Sequence, residues 1–211
     1  MKGAAGAGLV FVVDDDAGVR QMISRMVRSV GLEVETYSSV QEFLDGYDRR
    51  RTGCLVLDVR MPGLSGLELQ ERLAALEAPL PIIFITGHGD IAMGVRAMKR
   101  GAVDFLEKPF QDQVLLDAIH AALARATEWR RVAAARDDAR QRLVTLTPRE
   151  REVLALVVAG KLNKQIAAEL GTAEQTIKMH RSRLMHKAGV DSLPALVRLA
   201  QLAGVIAEPP A

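Results

Sequence analysis

Four carboxylates, one hydroxyl and one ammonium stand out as groups able to do chemistry together: Asp14, Asp15, Asp16, Asp58, Thr86 and Lys108. Carboxylates crowded into one place repel, and they either hold a proton or collect a divalent cation. Oxygen donors at this density suit Mg²⁺, which keeps some of its water and shares its sphere with a phosphoryl group. An aspartate carboxylate is a competent nucleophile toward phosphorus and forms an acyl phosphate. A cation and a lysine neutralise charge developing on the transferred oxygens, and Thr86 offers a hydroxyl to one of them. Singly, an Asp doublet is also a helix cap and a Lys-Pro also a turn. The ordered set is what points to phosphoryl chemistry.

These residues meet only if the segments before them are neighbouring strands. Apolar runs fall at 9–13, 33–36 (less clear), 54–57, 82–85 and 103–106, with amphipathic, helix-length stretches at 19–30, 40–47, 67–76 and 91–100. Continuous apolar strands separated by helices predict a parallel sheet covered on both faces. Five such units predict a small doubly wound α/β domain with a five-stranded parallel sheet. Ligands of open sheets of this kind sit at the carboxyl ends of the strands. There the pattern places Asp14–Asp16 after the first strand, Asp58 after the third, Thr86 at the end of the fourth and Lys108 at the end of the fifth. Gly31, Gly53 and Gly101 each precede a strand, where a helix must stop.

Composition bounds the rest. With 49% hydrophobic and 26% charged residues, the chain has the balance of a soluble globular protein. Its apolar runs are far shorter than the roughly 20 residues of a membrane helix, and residues 1–8 lack the apolar core of a secretory signal. No membrane partner is expected. Cys54, inside an apolar run, reads as a small core residue in a reducing cytoplasm. Residues 1–125 carry 14 basic and 17 acidic side chains, whereas residues 143–211 carry 9 and 6. That asymmetry suits a cation ligand in the first part and a polyanion in the second.

A last helix of the first domain starts near Gln111 and runs past Trp129 toward Leu143. Ile119, Ala122, Ala126, Trp129 and Ala133 keep a 3-4 spacing, but Arg136 and Arg140 follow in the same register. A solvated linker helix is the preferred reading, a dimer seam the alternative. Beyond it only helical periodicity remains. Thr147-Pro148-Arg149-Glu150 is a capping box with proline at the first helical position. Thr172-Ala173-Glu174-Gln175 repeats that logic, and Ser192 caps a further helix. Four short helices make a compact all-α domain, with 208–211 a frayed tail.

Two stretches carry a resemblance. Val12-Val13-Asp14-Asp15-Asp16, residues 57–66 (LDVRMPGLSG), residues 84–90 (FITGHGD) and residues 101–110 (GAVDFLEKPF) resemble the receiver domain of response regulators over residues 9–123. The resemblance implies a flavodoxin-like fold with Asp58 as phosphoacceptor. Asp14, Asp15, Asp58 and the backbone carbonyl of Arg60 would hold Mg²⁺, with Lys108 on the phosphoryl group. Asp16 would lie beside the site, and the Lys108–Pro109 peptide would be cis. Thr86 and Phe105 would form a switch pair that reshapes the face of residues 90–106, exposing Met93, Val95, Ala97 and Met98 for homodimerisation. Residues 146–154 (LTPREREVL), 163–167 (NKQIA) and 176–181 (TIKMHR) resemble the LuxR-type helix-turn-helix of the NarL/FixJ class, a domain set here at 143–208 after a linker at 124–142. Leu162 departs from the usual Ser or Thr cap, a role Asn163 partly takes at a cost of about 1 kcal/mol.

Helix geometry divides the recognition helix, residues 173–188. Ile177, Leu184 and Ala188 share an inward face, while Gln175, Lys178, Met179, Ser182 and His186 face the opposite way. In a major groove Lys178 suits guanine, Gln175 adenine and Met179 a thymine methyl. Lys164, Thr176, Arg181 and Arg183 suit phosphates. His180 reads as structural. Residues 193–202 offer a surface on which two DNA-binding domains pair.

The resemblance therefore implies a cytoplasmic, phosphorylation-controlled transcriptional regulator of a two-component system, most simply an activator. Its partners would be a sensor histidine kinase, a double-stranded DNA operator and RNA polymerase. It is not an enzyme beyond self-phosphorylation from a donor and slow autodephosphorylation. One alternative is a phosphoryl-transfer hydrolase, which would need a substrate pocket and a second general acid that the sequence does not offer. The other is a phosphorylation-independent regulator with a vestigial receiver, which would have lost acidic residues.

Overall fold

The computed structural model describes residues 8–75, 80–87 and 91–205. The chain divides into two compact units, Met1–Arg130 and Arg131–Ala211. The first holds β1 (Leu9–Val13), α1 (Ala17–Ser29), β2 (Glu33–Tyr37), α2 (Val40–Gly46), β3 (Gly53–Asp58), α3 (Gly66–Ala75), β4 (Ile82–Thr86), α4 (Ile91–Lys99) and β5 (Asp104–Glu107). Helix α5 (Asp112–Val144) begins in the first unit and ends in the second. It is followed by α6 (Pro148–Val158), α7 (Asn163–Glu169), α8 (Glu174–Ala188) and α9 (Leu193–Leu202). Among the described residues no helix is long and apolar enough to cross a membrane.

All strand pairs are parallel, in the order β2-β1-β3-β4-β5, which is the flavodoxin-like form of the doubly wound sheet. Strand residues alternate between the two faces, and both faces are covered. Phe11, Leu55, Leu57 and Phe84 meet Phe43, Leu69, Leu73 and Ala97 from α2, α3 and α4. Val10, Val12, Cys54, Val56, Ile83 and Ile85 meet Ile23, Val27, Leu115 and Ile119 from α1 and α5. Double coverage explains why β1, β3 and β4 are continuous apolar runs. β2 is an edge strand, half-exposed along its length, and this is why its pattern was weak. Burial pushes the Cys54 thiol up to about 12.

Gly31 and Gly101 have positive φ and close α1 and α4. Gly53 does something else: it opens β3, and a Cβ there would lie 2.4 Å from the carbonyl oxygen of Leu9. Close approach of β1 and β3, rather than a helix stop, requires glycine at that point. The last receiver helix starts at Asp112, one residue past Gln111. Leu76, His88, Gly89 and Asp90 of the sequence reading, with most of its N- and C-terminal tails, lie outside the described residues.

The second unit packs Val153, Leu154, Ile166, Ile177, Leu184, Leu196 and Leu199 into one core with Ala139 and Leu143 of α5. Its first helix starts as the capping box requires. Thr147 Oγ1 accepts from Glu150 N at 3.3 Å, and Glu150 Oε2 accepts from Thr147 N at 2.8 Å. The same buried carboxylate receives Lys187 Nζ of α8 at 2.7 Å. Ser192 caps α9. Two expected caps differ. The α8 N-cap is Ala173 without a side-chain bond, so Thr172 does not cap. At α7, Gln165 Oε1 reaches back to Leu162 N at 2.8 Å, while Asn163 is engaged by Arg181 instead.

The Lys187 ammonium and the Thr147 backbone amide hold the Glu150 carboxyl at about 2, against an ordinary 4.5. A depressed carboxyl contributes stability above its unfolded value, lost as pH falls toward the folded one. The helical unit should lose on the order of 1–3 kcal/mol between pH 5 and 2 from this group. Calorimetric melts across that range would show Glu150→Gln already destabilised at pH 7 and less sensitive to acid.

Candidate functional site

The sheet order reverses between β1 and β3, and this opens a crevice above their carboxyl ends. Asp14 follows β1 and Asp58 ends β3; both are buried, at 0% and 6% exposure. Asp15 is exposed, and one carboxylate oxygen from each of Asp14, Asp15 and Asp58 lies within 4.8 Å of the others. Lys108, just after β5, places Nζ 2.6 Å from Asp14 Oδ2 and 3.5 Å from Asp58 Oδ1. Its own N–H donates to Thr86 O at 2.7 Å, and the Lys108–Pro109 bond is cis. Thr86 is buried at the end of β4, where Ile85 pairs with Asp58. Arg60 is exposed in the loop after β3. Asp16 serves as the α1 N-cap, accepting from Gly18 N and Val19 N.

Burial raises the Asp58 carboxyl above its ordinary value; Lys108 lowers it again, and Asp14 adds to the rise. Three carboxylates against one ammonium leave this edge electron-rich, and their hard oxygens fit a magnesium ion. The exposed Asp15 gives the water access that such an ion keeps.

Two further groups support the site without having been singled out in the sequence. Arg20 Nη1 donates to Asp14 O at 2.6 Å, fixing the loop after β1. Gly66 N donates to Val59 O at 3.0 Å, and a Cβ on Gly66 would sit 2.3 Å from Asp58 O. Arg20 sits one turn into α1, a spacing that could have raised it. Gly66 looks like any helix-start glycine in the sequence.

Phe105 is half-buried, 6.3 Å from Phe84, with its ring against α4 where a Cβ on Gly94 would approach it to 3.2 Å. On α4, Ile91 (86%), Val95 (48%) and Met98 (43%) are exposed. Met93 packs on the core and Ala97 is fully buried, because helical spacing turns both toward the sheet. The outward face is thus Ile91, Val95 and Met98.

On α8, Ile177, Leu184 and Ala188 are buried, and Gln175, Lys178, Met179, Ser182, Arg183 and His186 are exposed. Lys178 is 3.3 Å from Glu174, one turn before it. Thr176 is half-buried near the helix start, and Lys164 is exposed on α7. Arg181 donates to Asn163 Oδ1 at 2.7 Å and so ties α8 to α7.

Family comparison gives the same two parts. Residues 10–120 match the response regulator receiver domain, and residues 144–200 match the luxR family of bacterial regulatory proteins. The chain is 50% identical to nodulation protein W of Bradyrhizobium diazoefficiens, covering 97% of this chain and 90% of that one. It is 46% identical to the transcriptional regulatory protein FixJ of Azorhizobium caulinodans, over 93% of each. Among solved structures it is similar to the response regulator StyR, with 50% identity, a TM-score of 0.80, and coverage of 93% and 99%.

Gly66→Ala should cost about 1–3 kcal/mol by overpacking against the Asp58 backbone, read as a lowered thermal midpoint. Asp58→Asn should do the opposite. A carboxyl raised by burial opposes folding once ionised, an effect absent below its ordinary value of 3.8 and growing as pH rises through the folded value. In EDTA at pH 7 the Asn variant should melt about 2–5 °C higher, with the gain vanishing below about pH 4.

Proposed function

The chain belongs to the two-component response regulators of the NarL/FixJ class, and on that premise we propose that phosphoryl transfer to Asp58 controls its binding to DNA. One observation carries the reading: Asp58 is buried at a sheet edge with Asp14, Asp15 and Lys108 around it. An Asp58 carboxylate oxygen attacks the phosphorus of a histidine phosphate on the sensor kinase. A new O–P bond forms as the P–N bond breaks, and the imidazole departs. Asp14, Asp15, Asp58 and the Arg60 carbonyl would hold a magnesium ion, which when bound would neutralise charge on the phosphoryl oxygens. Lys108 Nζ donates to one of those oxygens, and the Thr86 hydroxyl donates to another. Turnover is confined to self-phosphorylation and slow hydrolysis.

Inward movement of Thr86 vacates space that the Phe105 ring fills, which changes the α4–β5 face. Ile91, Val95 and Met98 then pair with a second copy. Two α8 helices reach two half-sites of a double-stranded operator, with Gln175, Lys178, Met179 and Ser182 toward base edges. Lys164, Thr176, Arg181 and Arg183 meet phosphates. Activation would proceed by contact with RNA polymerase in the cytoplasm. The bounds proposed are 9–123 for the receiver, 124–142 for the linker and 143–208 for the DNA-binding domain. A vestigial receiver is disfavoured by the complete acidic set.

Acetyl phosphate with Mg²⁺ should give an acid-labile adduct that Asp58→Ala lacks, and DNA selected by the phosphorylated protein should bind the unphosphorylated one more weakly. Operator binding by Asp58→Ala treated with acetyl phosphate and Mg²⁺ that equals that of wild type treated in the same way would overturn the proposal. On the selected site Lys178→Ala should cost about 1–3 kcal/mol and relax one base position. Arg183→Ala should weaken all sequences alike and lower the salt slope by about 1.

A further inference from the structure

Helix α4 ends in a tightly bonded cap. Ala102 N donates to Ala97 O at 3.2 Å, and Gly101 N donates to Met98 O at 2.9 Å, with Gly101 at φ +89°. That is a Schellman closure, and a side chain from another helix is bonded to it. Gln70 of α3 is 5% exposed, and its Nε2 donates to Ala97 O at 3.2 Å and to Arg100 O at 3.4 Å. Its Oε1 is buried and has no partner among the described residues. A buried amide satisfied at one end only is costly, so the position demands a reason. The Arg100–Glu71 ion pair also joins α3 to α4, but both side chains are well exposed and screened by solvent. Gln70 is the buried tie.

Beside the amide is a half-open pocket of about 110 Å³, lined by Gln70, Leu73, Leu80, Arg100, Gly101 and Trp129. Trp129 belongs to α5, the helix that continues to Val144, and the Arg125 guanidinium lies over its ring at 4.9 Å. One small pocket is therefore bordered by the end of α4, by the amide that holds that end, and by an α5 side chain. An open pocket next to a half-satisfied amide gives the amide room to turn. The close-packed elements on either side of it have discrete arrangements rather than a continuous range.

We infer that Gln70 is a positioning residue that couples the position of the α4 C-terminus to Trp129, and so passes the state of the Asp58 site to α5. The inference rests on the reading of Asp58 as phosphoacceptor. When α4 shifts, the bonds from Nε2 to Ala97 O and Arg100 O must stretch or be exchanged. The amide then turns in the pocket, and the packing around the indole changes with it. The exposed face of α4 is free to meet a partner, while its capped end acts on α5.

Trp129 is the only tryptophan of the chain, so emission excited at the red edge, where the two tyrosines do not absorb, reads this position alone. The full-length protein is treated with acetyl phosphate and Mg²⁺, and emission is followed beside the yield of phosphoaspartate. Wild type should change its emission in step with phosphorylation, and amide hydrogen exchange at residues 97–102 should change with it. Gln70→Met keeps length and helix propensity while removing the amide. It should reach wild-type phosphorylation yet lose at least two-thirds of the emission change. Phosphorylated wild type with unaltered emission would overturn the inference and leave Asp58 as acceptor. A full emission change in phosphorylated Gln70→Met would overturn it too. Wild type that forms no adduct would instead sink the underlying reading. Should Gln70→Met fail to fold, the wild-type emission and exchange decide alone.

Discussion

Two buried carboxylates share one ammonium at the carboxyl edge of the sheet, and the architecture of the first unit follows from keeping them there. Asp14 and Asp58 are taken out of water by the same crevice that brings them together. Their repulsion is offset by Lys108, which arrives from β5 on the far side of β4. A charge held this way is poised rather than settled. A divalent cation that enters would compete with Lys108 for the carboxylates, a phosphoryl group would offer the ammonium new oxygens, and the elements behind Lys108 and Thr86 would feel the change. The sheet supplies rigidity for this: β1, β3 and β4 are buried on both faces, so the site rests on the least deformable part of the unit.

The sequence made the strands legible because double burial leaves no polar face to confuse the pattern, and the edge strand β2 was faint for the converse reason. Asp14, Asp58, Thr86 and Lys108 were legible because a strand end is marked by the abrupt change from apolar to polar. What stayed hidden depends on contacts between segments distant in sequence. Nothing local says that Gly53 faces the Leu9 carbonyl, or that Gly66 lies against the Asp58 backbone. On α4, helical spacing separates Val95 and Met98 from Met93 and Ala97, but only the sheet tells which group turns inward. Caps divide the same way. Thr147 and Glu150 follow local rules, whereas Asn163 is claimed by Arg181, eighteen residues later, and never reaches its own helix start.

In the helical unit an ion pair has a different task. Glu150 serves the α6 cap and receives Lys187 from the end of α8, so one buried carboxylate fixes both the start of the first helix and the end of the helix with the exposed basic face. Together with the Arg181–Asn163 bond, this ties α8 at its middle and at its C-terminal end. Side chains meant to read a surface need a backbone that does not rotate beneath them. The apolar stripe of Ile177, Leu184 and Ala188 gives affinity for the core, and the two polar ties give orientation.

The chain's one sulfur nucleophile is sealed between β1 and β4, fully buried, with its thiol far too basic to ionise near neutrality. Thiol-directed dyes, spin labels and crosslinkers therefore find no reactive thiol in the folded protein. A cysteine introduced anywhere on the surface becomes the sole handle, with no need to strip the native one from the core. Distances between chosen pairs of sites can thus be tracked in an otherwise unaltered background.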